Sequence, residues 1–188
     1  DLMLWSVEME DLDNDGFPEA FAAGGLPGHQ VDAGGGDFSH QRDVLWWGGP
    51  MGFAEVSAAL GFDDRDEHYG MAAADFDGDG ALDIVTVGSV GLPKLWMNRC
   101  SASAWLEVEL VGPPGNGRGY GARVEVRAGD LVDTREVLGP RAFGQSPARL
   151  HFGLGEATTV DLTVTWPDGT VQVAAGFEPR RLVRVTKP

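Results

Sequence analysis

The chain has a single cysteine in 188 residues, Cys100, so it cannot close an internal disulfide. A buried thiol is its expected state, with a hook for another chain as the alternative. Basic residues are scarce too: 14 Lys and Arg stand against 29 Asp and Glu, a net charge of −15. A surface of that sign is a poor substitute for counterions along a phosphate backbone. The balance therefore argues against a general nucleic-acid binder, and equally against an anionic membrane surface. No apolar run approaches the length of a membrane span. The opening residues Asp1-Leu2-Met3-Leu4-Trp5 have neither the basic start nor the cleavage pattern of a signal peptide, and a mature or trimmed secreted chain would look the same.

Several catalytic signatures are missing. The four histidines, His29, His40, His68 and His151, form no HxH or HExxH pair. Gly115-Asn116-Gly117-Arg118-Gly119 and Gly153-Leu154-Gly155 open no helix, so they lack the aligned amides of a phosphate loop. Gly144-Gln145-Ser146-Pro147-Ala148 lacks the second glycine of a nucleophile elbow and reads as a plain loop. The run Asp63-Asp64-Arg65-Asp66-Glu67-His68 is acidic enough to touch a metal, but as a charge run it reads as a solvated loop. Trp46-Trp47 reads as aromatic core, with a sugar-stacking surface as the alternative.

Glycine, by contrast, is abundant: 28 glycines and 11 prolines suit turn-rich β structure and exclude long helices. The acidity is also unevenly placed. Residues 1–98 carry a net charge of −16 and residues 99–188 one of +1, which suggests two units.

The acidic unit contains a repeat. Asp11-Leu12-Asp13-Asn14-Asp15-Gly16-Phe17-Pro18-Glu19 returns 64 residues later as Asp75-Phe76-Asp77-Gly78-Asp79-Gly80-Ala81-Leu82-Asp83. An apolar segment precedes and follows each copy, so a strand–acidic loop–strand hairpin occurs twice. Calcium takes six to eight oxygens at about 2.3–2.6 Å. Aspartates at alternate positions of a tight loop can turn their carboxylates inward together. Asp11, Asp13 and Asp15 do so in one loop, and Asp75, Asp77 and Asp79 in the other. Gly16 and Gly80 stand where the backbone must turn sharply. The carbonyls of Phe17 and Ala81 then face the ion, and Glu19 and Asp83 close the sphere. An EF-hand would need a bidentate Glu at its twelfth position, where this chain has Ala22 and Thr86. The prediction is therefore two Ca²⁺ sites in β-hairpin loops. Magnesium is the poorer fit, because it resists an all-protein cage.

Between the copies, Gly24 to Asp43 reads as an excursion loop. Asp43 to Trp47 reads as a strand, and Phe53 to Leu60 as a short helical turn closed by Gly61. Beyond residue 104 the pattern alternates with period two over about seven segments. In the first of these, Leu106, Val108 and Leu110 share one face and Trp105, Glu107 and Glu109 the other. Turns such as Pro167-Asp168-Gly169 separate the segments, as in a small antiparallel sandwich or barrel.

The two acidic loops resemble the calcium-binding FG-GAP/VCBS repeats of secreted β-propellers and integrin alpha heads. The stretch Gly70 to Val85 is close to that repeat's consensus throughout. Trp105-Leu106-Glu107-Val108, Gly121-Ala122-Arg123-Val124, Leu150-His151-Phe152-Gly153-Leu154-Gly155 and Val164-Thr165-Trp166-Pro167-Asp168-Gly169 resemble the ASPIC/UnbV domain over about residues 98–188. The combination is similar to the cartilage acidic protein-like family, bacterial type. The resemblance implies a secreted, calcium-loaded propeller followed by a β-rich domain, with links to matrix and adhesion and no catalytic residues to carry over. His151, inside one of these phrases, reads as structural.

The sequence thus predicts an all-β chain: a partial β-propeller of two blades over residues 1–98, then a small antiparallel β-sandwich over residues 99–188. Its predicted role is a secreted, non-enzymatic calcium-binding module of adhesion or assembly. A carbohydrate-binding propeller and an accessory protein of a biosynthetic pathway are the alternatives. Closed propellers have about four to eight blades. The expected partners are therefore a protein or further copies completing the propeller, with a glycan as a further candidate.

Overall fold

The structure, a computed structural model, describes residues 2–25, 41–88, 91–99 and 102–188. Cys100, His29, His40 and most of the predicted excursion loop lie outside these residues. Apart from one helical turn, α1 (Ser57–Leu60), the regular structure among the described residues is entirely strand.

The acidic unit forms two sheets. The first has the order β1 (Leu4–Glu10), β2 (Glu19–Gly24), β3 (Val44–Trp47), β4 (Ala54–Glu55), and every pairing is antiparallel. The second is β5 (His68–Ala74), β6 (Asp83–Gly88), β7 (Lys94–Trp96). Each acidic loop joins the first two strands of its sheet. The registers Glu10↔Glu19 and Ala74↔Asp83 place the two loops equivalently. The sheets meet through β1, β2 and β5. Phe21, Ala23, Leu45, Phe62, Met71, Ala73, Leu82 and Ile84 are buried between them. This is blade-on-blade packing. The predicted helical turn is shorter than expected, because Ala54 and Glu55 pair with β3 before it begins. Gly61 ends it at φ 74°, a left-handed cap that glycine adopts without a Cβ clash.

The second unit is a sandwich of seven strands. One sheet runs β10 (Leu131–Glu136), β9 (Arg123–Ala128), β12 (Val160–Thr165), β13 (Val171–Phe177). The other runs β11 (Arg149–Gly155), β8 (Ala104–Val111), β14 (Arg181–Thr186). Leu106, Val108 and Leu110 point into the core with Val124, Val126, Phe152, Leu162, Val164 and Trp166. The sandwich is not wholly antiparallel: β14 runs parallel to β8. Alternation sets which face is buried but is the same for both strand directions, so the patterning could not reveal this.

The sandwich lies against the inner strands of the two blades. Segment 139–148 leaves β10 and runs along β5, which among the described residues has no strand partner on that side. Met71 donates its backbone N–H to the Phe143 carbonyl at 3.2 Å, and Ala73 donates to Ser146 Oγ at 3.0 Å. The loop predicted around Ser146 therefore caps a sheet edge. Arg141 reaches both oxygens of Glu8 on β1, at 2.9 and 2.8 Å, and Arg135 pairs with Glu10. Trp5 packs against Tyr69 and Phe143.

Candidate metal centre

In each loop the local sequence dictates the turn. In the first, the backbone N–H groups of Asp15 and Gly16 donate to Asp11, and that of Phe17 donates to Asp15. In the second, Gly78 and Gly80 donate to Asp75, and Ala81 donates to Asp79. Asp carboxylates thus satisfy the loop's own amides and hold it in a tight coil. The fourth position is left-handed in both copies, Asn14 at φ 61° and Gly78 at φ 81°. The sixth is also positive, Gly16 at φ 95° and Gly80 at φ 89°, as predicted for glycine there.

One oxygen from each of Asp11, Asp13 and Asp15 lies within 4.8 Å of the others, and the same holds for Asp75, Asp77 and Asp83. Oxygens around a common Ca²⁺ at about 2.4 Å can stand no more than about 4.8 Å apart. The hard, all-oxygen donor sets therefore fit that ion. The two loops differ in which acids converge. Glu19 is fully buried behind its loop, accepting from the N–H groups of Leu12 at 2.7 Å and Gly48 at 3.2 Å. Asp83 accepts from the N–H groups of Phe76 and Asn98, at 3.0 and 2.8 Å, and still joins its cluster. Asp79 is not among the converging three. The side chains of Asp77 and Asp79 face Arg99, at 2.7 and 3.8 Å. Phe17 is exposed and Ala81 buried.

Burial pushes the carboxyls of Asp11 and Glu19 up to about 7, against the pull of the N–H groups they accept from. Burial, then the charge of Asp15, raises Asp13. Trp47 packs on the core between the blades, as the core reading of Trp46-Trp47 expects.

What the repeat alone did not reveal is how the loops are joined. Asn14 Nδ2 donates to the Gly80 carbonyl at 2.9 Å, bridging one loop to the other. Asn98 Nδ2 donates to the carbonyls of Leu12 at 2.6 Å and Leu82 at 3.2 Å, forming a second bridge. Asn14 is the one interior loop position where the first copy carries a bulky polar residue and the second a glycine. That asymmetry was the available signal.

The sandwich then seats both loops. Gly155 donates its N–H to the Asn14 carbonyl at 2.8 Å. A Cβ on Gly153 would stand 1.9 Å from Asp11 Oδ2 and 2.5 Å from Asn14 Cα. A Cβ on Gly80 would stand 1.8 Å from the Trp105 indole nitrogen. The face of β8 opposite the sandwich core is thus turned toward the second loop rather than to water.

His151 is buried at this seam, and its Nε2 lies 2.6 Å from Asn14 Oδ1. Because the Asn14 amide nitrogen donates to Gly80, its oxygen must accept, and the imidazole carries its proton on Nε2. The ring stacks against Trp105. Burial, then the charge of Arg135, lowers its pKa to about 3. An imidazole held neutral when folded, but titrating near 6.5 when unfolded, favours folding above pH 6.5. That contribution is lost as pH falls toward 3. In calcium-containing buffer, the unfolding free energy from urea titrations should drop between pH 6.5 and 5 by more for the native chain than for His151→Gln, by up to about 2 kcal/mol. Parallel pH profiles for the two proteins would refute this role.

These features define a β-rich module: two blade-like sheets whose acidic loops are linked to each other and seated on a sandwich. Residues 11–86, from the first loop's opening aspartate into β6, match the FG-GAP-like repeat family. Residues 112–188 match the ASPIC and UnbV family. The chain therefore carries an FG-GAP-like repeat region followed by an ASPIC/UnbV domain. The latter match begins just after β8, yet β8 is the central strand of its sheet. No curated protein matches the chain.

Proposed function

We propose that this chain is a secreted, non-enzymatic calcium-binding structural module of adhesion or assembly, of the cartilage acidic protein-like type. In this reading Ca²⁺ fixes the two acidic loops as the joint between blades and sandwich. The observation that carries it is the convergence of three carboxylates in each loop, in loops that also touch the sandwich. Asp11, Asp13 and Asp15 would hold one ion, with Glu19 ordering the loop from behind and the Phe17 carbonyl in reach of the sequence pattern. Asp75, Asp77 and Asp83 would hold the other, with Asp79 and the Ala81 carbonyl as the remaining candidates. When bound, the ion supplies positive charge and a fixed geometry to groups that otherwise repel one another. Strands β4 and β7 are the outer edges of their sheets, and the second sheet has one strand fewer than the first. A protein partner or further copies would add there, since open edges pair readily.

Isothermal titration of metal-stripped protein tests the reading. It should show two Ca²⁺ per chain, and Asp75→Asn combined with Asp77→Asn should leave one. Absence of calcium binding up to several millimolar would overturn it.

A further inference from the structure

A third polar cluster lies at the foot of β5, apart from both loops. One carboxylate oxygen each from Asp64 and Asp66 and one ring nitrogen of His68 lie within 4.8 Å of one another. His68 is only 1 % exposed. Its Nδ1 stands 2.6 Å from Asp43 Oδ2, and Asp43 is itself fully buried. The other nitrogen, Nε2, is buried and has no hydrogen-bond partner among the described residues. Buried polar atoms are rarely left without partners, and this one calls for an explanation.

Carboxylate, imidazole and two further carboxylates form a familiar chemical arrangement. A metal-bound histidine commonly donates its second ring N–H to a carboxylate, which fixes the tautomer and aims the free lone pair at the ion. Asp43 stands in that position here. An imidazole with two carboxylates suits a divalent transition ion of the zinc type, whereas calcium prefers oxygen throughout. Lys94 already places a cation at this spot. Its ammonium pairs with Asp64 and with Asp66, the latter at 2.7 Å.

We propose that Asp64, Asp66 and His68, with Asp43 orienting the imidazole, form a binding site for a zinc-type divalent ion in which the Lys94 ammonium is the competing occupant. The site does not depend on the loops holding calcium.

The test is a Zn²⁺ titration of the full chain in saturating Ca²⁺, with X-ray absorption of the bound zinc to register imidazole ligation. The native chain should bind one Zn²⁺ at this site with imidazole in its shell. His68→Gln and Asp66→Asn should each weaken that binding at least tenfold. Lys94→Met should tighten it severalfold, because the competing charge is gone. Asp66 is exposed, so Asp66→Asn remains informative if His68→Gln does not fold. Zinc affinity unchanged in both Asp66→Asn and Lys94→Met, or a zinc shell without imidazole, would overturn the proposal.

Discussion

Removing Ca²⁺ with a chelator should lower the melting temperature by about 10–20 °C. A ligand that binds only the folded state at about 100 times its Kd stabilises it by about 2.7 kcal/mol per site. Two such sites give about 5 kcal/mol, and each kcal/mol is worth about 2–4 °C for a chain of this size. The structure supplies the reason the effect should be large. Three carboxylates within 4.8 Å repel one another in each loop, by about 1–4 kcal/mol per pair depending on solvation. Among the described residues, an arginine, Arg99, forms ion pairs with the acids of the second loop, whereas Arg135 acts on Asp11 of the first only at longer range. The first loop should therefore loosen first, and with it Asn14 and the seat on the sandwich. Differential scanning calorimetry with EDTA, and again after calcium is restored, checks this. A melting temperature indifferent to chelation would sink the structural role assigned to the ions.

Gly153→Ala should be strongly destabilising for a single added methyl, costing about 3 kcal/mol. The added Cβ meets Asp11 Oδ2 and the backbone at Asn14. A side chain could rotate away, but the Asn14 backbone cannot. Gly153 is not among the positive-φ glycines of the chain, so alanine is acceptable to the strand itself. The sandwich should then survive while the first loop is pushed off it. Gly139→Ala is the control, because nothing lies within 4 Å of its would-be Cβ. Relative to that control, Gly153→Ala should lose at least tenfold in affinity at one calcium site and become sensitive to protease between the two units. Equal melting temperature and equal calcium binding in the two variants would show that the seat contributes nothing.

Much of this architecture was legible in the residues. The spacing of Asp11, Asp13 and Asp15 and its return at Asp75, Asp77 and Asp79 placed both loops between strands, because alternate carboxylates and a following glycine have few backbone solutions. Period-two alternation from Trp105 onward located seven strands, and the glycine that ends α1 was marked as Gly61. The parallel pairing of β14 with β8 was invisible, since alternation is blind to strand direction. So was Asp43, which read as the start of a strand and proves to be the buried partner of His68, 25 residues away.

The sequence by itself determined the strand periods, the turn positions and the two acidic coils, because these depend on neighbours a few residues apart. Only the tertiary structure decided what the coils are for. Asn14 reaches Gly80 and His151, Gly153 makes room for Asp11, and Ser146 closes the edge of β5. Those contacts join residues 66 to 142 positions apart, and no local pattern encodes which surfaces meet once the chain has folded.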